Sequence, residues 1–548
     1  VRKREWRFIK GDTFFRRMKA CSLVFLATVA LAKKMPPHIV FILADDLGWD
    51  DVSFHGSSQI PTPNIDVLAA DGITLHNYYV QPMCTPSRAA LMTGLYPIRT
   101  GMQHWVIRSP EPWGLPLELK LMPEHLKDLG YSTHLVGKVL FDLKKFIVSV
   151  NRLCINESTE VCHTFVSAVT LCIYFVYKSH AGLDFRNGEE PFHNDTGQYA
   201  TTLFTDRAIS IIEQHNQTKP LFLYLSHLAP HGATHDEPLQ APDENVEKFD
   251  YIGEEDRTIY AGMVDALDVS VGRVVEALSR AGMLENSIVA FSSDNGAVPF
   301  GFRSNRGFNW PLRGIKASVW EGGVRVPGFV WSPLLRKSAR LSTQMMHITD
   351  WLPTLYAAAG GNTKNLGQLD GHNMWEALSR GWRSPRTEIL LNIDPITGSA
   401  GLRFGKHKLL IPGVNGTTDA HVPTTGYPRP TEDMDTMMQQ SLAAKVLRRF
   451  YNVDGIWFRR GWENSAEVDC GPAEWQSNFV SGRVYNLFDI ERDPCEMINL
   501  AATRRGTVRM MMRKLQSYAA AMIPPRNKEE DPRSFPEKHG GVWTTWLA

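Results

Sequence analysis

A chain of 548 residues that is 43% hydrophobic, with 15 Trp and 26 Phe, has the apolar content of a globular enzyme of two or more domains and excludes a disordered chain. Lys and Arg number 59 against 58 Asp and Glu, a formal charge of +1 with both signs interspersed, so nothing points to a nucleic-acid partner.

The N-terminal region reads as a secretory signal. Met18-Lys19 precedes an uncharged, mostly apolar run from Ala20 to Leu31, and Ala30-Leu31-Ala32 has the small-x-small form of a cleavage site. Translation is expected to start at Met18, with residues 1–17 an extension and 18–32 the signal. The apolar run is too short for a stable membrane span, and a lysosomal or extracellular destination through the secretory pathway follows. Seven cysteines fit that compartment. Cys21 leaves with the signal, and Cys84, Cys154, Cys162, Cys172, Cys470 and Cys495 remain; Cys470 and Cys495 are one possible pair, although spacing does not fix connectivity. Glycosylation sequons stand at Asn156, Asn194, Asn216 and Asn415.

Three near-continuous apolar runs predict buried parallel strands: 38–44, 221–229 and 287–292. Each runs into polar residues: Asp45-Asp46, Pro230-His231, and Ser293-Asp294-Asn295. Between them, 62–71 reads as a helix with Thr62 as its N-cap and Pro63 in its first turn, and 260–281 as a helix stopped by Gly282. This alternation predicts an α/β fold with a large, mostly parallel sheet flanked by helices, whose ligands gather beyond the carboxyl ends of the strands. From about Leu390 short strands and loops rich in Gly, Pro and Asp give way to a closing helix near 507–521, as expected of a smaller C-terminal α+β domain. The expected division is a catalytic domain over 33–385, a smaller domain over 386–525 and a tail over 526–548.

Asp45, Asp46, Asp294 and Asn295 offer hard oxygen ligands, a set suited to Ca²⁺ or Mg²⁺ more than to zinc. A solvated turn is the competing account of any lone Asp pair, weakened here because both pairs follow a buried strand. In Cys84-Thr85-Pro86-Ser87-Arg88 the proline suits a first helical turn, which places Cys84 where backbone N–H groups favour an anion, with Arg88 one turn in. A structural cysteine is the alternative.

Cys84-Thr85-Pro86-Ser87-Arg88, continued by Gly94-Leu95-Tyr96-Pro97-Ile98-Arg99-Thr100-Gly101, resembles the sulfatase signature, in which the cysteine is oxidised after synthesis to formylglycine. Asp45-Asp46-Leu47-Gly48-Trp49, Asn309-Trp310-Pro311-Leu312-Arg313-Gly314 and Trp320-Glu321-Gly322-Gly323-Val324-Arg325 belong to the same pattern, as does Leu487-Phe488-Asp489-Ile490. Together they resemble the arylsulfatase B group from about Pro37 to Ala502. The resemblance implies an alkaline-phosphatase-like fold and a sulfuric ester hydrolase acting on sulfated glycosaminoglycan sugars. It implies one Ca²⁺ and a formylglycine made from Cys84 by the formylglycine-generating enzyme. It assigns Asp45, Asp46, Cys84, Asp294 and Asn295 to the metal, and Arg88 to holding the formylglycine. Lys316 would bridge the sulfate and the leaving oxygen, and His231 would bind sulfate and help protonate the leaving alcohol. His231 is favoured over His235 because it follows the strand directly, and Lys138 matches the lysine of a Gly-Lys-Trp-His-Leu-Gly segment.

That last segment departs from the family. After Lys138 the chain reads Val139-Leu140-Phe141, so the histidine expected two residues on is absent, and the mismatch lasts to about Ala181. Within it, 161–177 holds no Asp, Glu, Lys or Arg. An intron or misjoined exon read as protein would give this sequence, and so would a sulfatase that has lost turnover and binds sulfated glycans instead. A phosphoesterase relative of the same fold is disfavoured, because Cys84 stands where those proteins carry Ser or Thr.

Overall fold

The computed structural model describes residues 35–138, 165–166, 174–177, 180–188, 190–192, 197–233, 238–301, 304–413, 419, 421, 428–454, 462, 465–470, 477–478, 485–544 and 546. Most of the anomalous stretch after Lys138 therefore lies outside the described residues. Its described parts are two short strands, Phe165–Val166 paired antiparallel to Arg186–Asn187, and Tyr174–Tyr177 paired antiparallel to His180–Leu183.

The body over 37–548 is built on a seven-stranded sheet. Its strands are β1 (His38–Ala44), β2 (Ile73–Leu75), β3 (Ser132–Gly137), β4 (Leu221–Ser226), β5 (Ser287–Ser293), β6 (Gly328–Trp331) and β7 (Arg340–Ser342), in the order β7-β2-β6-β5-β1-β4-β3. The pairs β5–β1, β1–β4, β4–β3 and β2–β7 are parallel, while β6 runs antiparallel to both of its neighbours. The expected mixed, mostly parallel sheet is what the chain forms.

Period-2 geometry explains why the β1 run has no polar alternation. Val40, Ile42 and Ala44 face one core with residues of α1 (Pro63–Asp71), α3 (Ala200–Glu213) and α4 (Glu255–Arg280). Ile39, Phe41 and Leu43 face the other, with Ala89 to Met92 of α2 (Cys84–Thr93) and the helix Trp351–Ala358. Both faces are covered, and each buried Ile, Leu or Phe contributes about 1.5–3 kcal/mol of apolar transfer.

Two boundaries differ from expectation. Thr62 precedes α1 without capping it through its side chain, because its Oγ1 donates to Asp66 Oδ1 at 2.8 Å. Asp268, buried on α4, takes over: it accepts from Asn64 N at 3.2 Å and Ile65 N at 2.8 Å. The helix expected over 260–281 begins five residues earlier, at Glu255, where Glu254 accepts from Arg257 N at 2.6 Å.

A four-stranded antiparallel sheet forms the smaller C-terminal α+β part: β8 (Glu388–Asp394), β9 (Ser399–Phe404), β10 (His407–Ile411) and β11 (Asn486–Asp489), packed with α5 (Arg505–Ala520). It meets the Trp-Glu-Gly-Gly-Val-Arg segment through a buried ion cluster. Lys408 Nζ on β10 lies 2.8 Å from Glu321 Oε1 and 2.9 Å from Glu496 Oε1, all three residues fully buried. Glu496 Oε2 also accepts from Glu321 N at 2.8 Å. Among the described residues no helix is long and apolar enough to cross a membrane.

Candidate functional site

Because β5, β1, β4 and β3 are parallel neighbours, their carboxyl ends lie along one edge, and each delivers polar residues there. Asp45 and Asp46 follow β1, Asp294 and Asn295 follow β5, Lys138 follows β3, and His231 stands five residues beyond β4. The register locks them together. Asp294 N donates to Ala44 O at 3.2 Å, Asp45 N to Ala229 O at 3.1 Å, and Lys138 N to Ser226 O at 2.7 Å. Asp46 holds a left-handed φ of 61°, an uncommon conformation for a non-glycine residue that persists where surroundings over-determine it.

Cys84 opens α2, whose N-terminus points into this cluster, and Gly94 closes that helix in the left-handed conformation. The Cys84 thiol is free and buried, 3.5 Å from Asp45 Oδ1 and 3.9 Å from Asp46 Oδ1. Ligand atoms of Asp45, Asp46, Cys84 and Asp294 all lie within 4.8 Å of one another.

Three cations answer the three carboxylates. Arg88, fully buried, sets its Nε at 2.9 Å and Nη2 at 2.7 Å from Asp294 Oδ2, and its Nη1 donates to Lys138 O at 3.2 Å and to Ser226 Oγ. Lys138 Nζ bonds Asp45 Oδ2 and lies 4.0 Å from Cys84 Sγ. Lys316 Nζ bonds both oxygens of Asp46, at 2.5 and 2.6 Å. His231 Nε2 lies 3.6 Å from Asp46 Oδ2, while its Nδ1 is 2.5 Å from Gly232 O.

The electrostatics follow from burial against pairing. Burial pushes the Asp45 and Asp46 carboxyls up, but Lys138 and His231 beside Asp45, and Lys316 and His231 beside Asp46, hold both below the ordinary range. Burial, then Asp294, pushes the Cys84 thiol well up, so the unmodified side chain stays protonated and is a poor nucleophile. Burial, then Lys138, lowers His231 to about 4, which leaves it neutral.

The site fits a hard divalent cation. Three carboxylates converge with Asn295, whose Nδ2 donates to Asp46 Oδ1 at 2.6 Å while its buried Oδ1 has no hydrogen-bond partner among the described residues. An amide oxygen in that state beside carboxylates is a ligand in waiting.

The expected catalytic and metal residues Asp45, Asp46, Cys84, Arg88, Lys138, His231, Asp294, Asn295 and Lys316 lie together in one cluster. His227 turns into the core against Ser270 Oγ at 3.0 Å, while His235 lies outside the described residues. Sequence reasoning missed Ser226, which meets Arg88, and Asn305, whose Nδ2 ties Asp46 O at 2.9 Å to Pro230 O at 3.1 Å. No local signal marks either residue. Cys470 and Cys495 form a disulfide, Asn216 is exposed, and Asn156, Asn194 and Asn415 lie outside the described residues.

Comparison with known proteins agrees with this geometry. The sulfatase family model matches residues 37–361. Mouse arylsulfatase J is 38% identical over 93% of this chain and 80% of its own length, and mouse N-acetylgalactosamine-6-sulfatase 30% identical over 65% and 69%. Among solved structures, Ps i-CgsB in complex with k-i-k-neocarrahexaose superposes with a TM-score of 0.67 at 27% identity, over 90% of this chain and 94% of that one. The chain belongs to the sulfatase family of sulfuric ester hydrolases.

Proposed function

We propose that the protein hydrolyses sulfate esters on a glycan sugar in the manner of arylsulfatase B, with Cys84 matured to formylglycine and one Ca²⁺ held by Asp45, Asp46, Asp294 and Asn295. The observation that carries this reading is the convergence of those four oxygen-bearing side chains on Cys84 at the mouth of α2. When bound, the ion supplies Lewis acidity at the sulfuryl oxygens and the matured Cys84 supplies a hydroxyl nucleophile that a protonated thiol does not.

The chain's own residues divide the remaining work. Arg88, Asp45 and Asp294 are fully buried and fix the floor, whereas the side chains of Lys316 and His231 keep 12% and 13% of their exposure, so an ester approaches from their side. Three carboxylates against Arg88, Lys138 and Lys316 sum to zero, and a dication raises the site to +2, which attracts an anionic ester. Lys138 and Lys316 are bonded to Asp45 and Asp46, the carboxylates that would hold the ion, and their ammonium groups would be available to the sulfate once those carboxylates were shared with the ion. His231, with Nδ1 toward Gly232 O, presents Nε2 to the cluster, where, once it has taken a proton from solvent beside the anionic ester, it donates that proton to the departing alcohol.

The glycan assignment draws on the arylsulfatase B resemblance, which suggests 4-sulfated N-acetylgalactosamine, and on the neocarrahexaose complex of a similar structure. The signal-like N-terminus and the sequons support passage through the secretory pathway to a lysosomal or extracellular site. The test is to express the chain with formylglycine-generating enzyme and measure Cys84 conversion by mass spectrometry, bound calcium, and hydrolysis of an aryl sulfate. A fully converted protein that takes up no calcium and cleaves no sulfate ester refutes the proposal.

One observation favours a second reading. Leu140 stands where the family places a histidine that helps eliminate sulfate, and its loss costs about 10²–10⁴ in rate. A chain with this segment would bind sulfated glycans with little turnover. Sequencing the native transcript across codons 132–185 decides it: Trp-His-Leu-Gly after Lys138 restores the active enzyme, and Val139-Leu140-Phe141 moves the weight to binding.

A further inference from the structure

Asn305 is fully buried just outside the charged cluster, in the stretch of chain between Asn295 and Lys316. We infer that it is a positioning residue of the site, whose single amide fixes the metal carboxylate Asp46 and the proton donor His231 relative to each other. The roles of Asp46 and His231 in this assignment rest on the sulfatase reading.

The two halves of the amide serve different ends. An asparagine side chain has two N–H donors and an oxygen with two lone pairs, and here all four are used. Oδ1 accepts from Val298 N and Gly307 N, both at 3.1 Å, and closes the loop on itself. Nδ2 donates to Asp46 O at 2.9 Å and to Pro230 O at 3.1 Å, 259 and 75 residues away. N–H groups on one side and carbonyls on the other leave one orientation for the amide.

The loop does not depend on the donor half. Asn305 N bonds Val298 O at 3.1 Å, Arg257 Nη1 donates to Arg306 O at 2.8 Å, and Phe308 N donates to Asp51 Oδ2 at 2.9 Å. Arg257 and Asp51 are themselves buried and paired at 2.7 Å. Between them Gly307 packs so closely that a Cβ there would meet Tyr260 Oη at 2.6 Å. Nδ2 therefore works from a fixed base, and both of its bonds go to neighbouring loops.

Those bonds hold two catalytic elements. Asp46 keeps its left-handed φ of 61° with both backbone polar groups engaged, its N–H on Asp294 Oδ1 at 3.2 Å and its carbonyl on Asn305. Pro230 O belongs to the peptide group that carries His231 N, and His231 N donates to Leu228 O at 2.8 Å, so that peptide plane is pinned on both sides. The outcome is His231 Nε2 at 3.6 Å from Asp46 Oδ2, the oxygen that Lys316 also bonds. Without Nδ2 both carbonyls lose a donor and the loops that carry them can separate. A misplacement of about 1 Å costs up to about 10²-fold in rate, and loss of a group that orients a metal ligand about 10–100-fold in metal affinity.

The test compares Asn305→Ala and Asn305→Ser with wild type and with Asp256→Asn, a control that breaks the same loop's surface ion pair to Arg306 and leaves Asn305 untouched. All are full chains co-expressed with formylglycine-generating enzyme. Calorimetric titration of the chelator-stripped proteins with Ca²⁺ should show about tenfold weaker binding in both Asn305 variants and wild-type binding in the control. Hydrolysis is read on 4-nitrophenyl sulfate, whose phenolate departs without a proton, and on phenyl sulfate, whose poorer leaving group takes one from His231. Both variants should lose at least about tenfold more kcat on phenyl sulfate than on 4-nitrophenyl sulfate, a split that a general loosening of the fold does not produce. Wild-type calcium affinity in the variants, an equal loss on the two esters, or the same changes in Asp256→Asn overturns the assignment. Absence of a cooperative thermal transition in both variants also overturns it, because Asn305 is then a residue of folding alone. A wild type that takes up no Ca²⁺ sinks the assignment together with the metal site. A wild type that binds Ca²⁺ but hydrolyses neither ester sinks the hydrolase reading instead, and leaves the calcium titration to judge Asn305.

Discussion

Glutamine in place of Glu496 should leave the protein as stable as wild type in mild acid and make it more stable in mild alkali. One ammonium, Lys408, lies between two fully buried carboxylates, 2.8 Å from Glu321 and 2.9 Å from Glu496. Burial pushes Glu321 up, but Lys408, Arg325 and Arg403 outweigh it and hold that group below the ordinary range. Against burial and the Glu321 charge Glu496 has Lys408 and the N–H of Glu321, and burial prevails, pushing it up to about 7. Its unfolded value is about 4.3, so the folded state binds more protons between about 4.3 and about 7, and this group costs stability as pH rises through that window. At roughly 1.4 kcal/mol per pH unit the ceiling is about 3–4 kcal/mol, and sharing Lys408 with Glu321 brings the effect below that ceiling. Glu496→Gln retains an oxygen for Glu321 N and mimics the protonated acid. Calorimetric Tm values of the two proteins should coincide near about pH 5 and separate in the variant's favour near about pH 8.5. If Glu496→Gln lowers Tm equally at both pH values, the ionised carboxylate is a net stabilising partner of Lys408 and the reasoning fails.

Other consequences are as concrete. His55, His227 and His347 are buried and burial holds each neutral far below its usual value, His227 at about 3. Their folded values lie under the unfolded ~6.5, so the stability they carry is present above that pH and declines below it by roughly 1.4 kcal/mol per group per pH unit. Tm should fall on acidification from about pH 6.5 toward pH 4.5, the three histidines outweighing the opposite slope of Glu496; a flat profile contradicts this. Leu140→His, if the transcript encodes this chain as written, should raise aryl sulfate turnover by about 10²–10⁴, and an unchanged kcat would show that the missing histidine is not the limiting group.

The parallel core was legible because burial on both faces leaves a local trace, an unbroken apolar run ending in Asp45-Asp46 or Asp294-Asn295. The same rule overshot at β4, which stops at Ser226 although the apolar run continues to Ala229. There His227 N already bonds Leu43 O at 2.9 Å and Asp45 N takes Ala229 O, so the extra residues build the turn that carries His231. Thr62 read as a cap because Thr-Pro at a helix start is a local signal, whereas its replacement, Asp268, is 206 residues away. Asn305 and Ser226 were illegible for the same reason. A single polar residue in a loop acquires meaning only from a partner distant in sequence, and no periodicity announces it.

Balanced charge has a last consequence, for the order in which this protein folds and loads its metal. A cluster of three bare carboxylates would repel itself open without a cation, but here Arg88, Lys138 and Lys316 neutralise it within hydrogen-bond distance. The metal-free chain should therefore fold, and chelation should abolish sulfate ester hydrolysis while leaving a cooperative thermal transition. Lys316→Met separates the two roles. Losing a partner of a buried pair costs about 3–5 kcal/mol, and somewhat less here because the lysine is 12% exposed, so the calcium-free variant should melt lower than wild type. The same variant removes both the competitor for Asp46 and a repelling positive charge, so added Ca²⁺ should raise its Tm by more than it raises that of wild type. Equal calcium-induced shifts in the two proteins would mean that Lys316 and the ion do not share Asp46, and that the site is charged in some other way than these contacts imply.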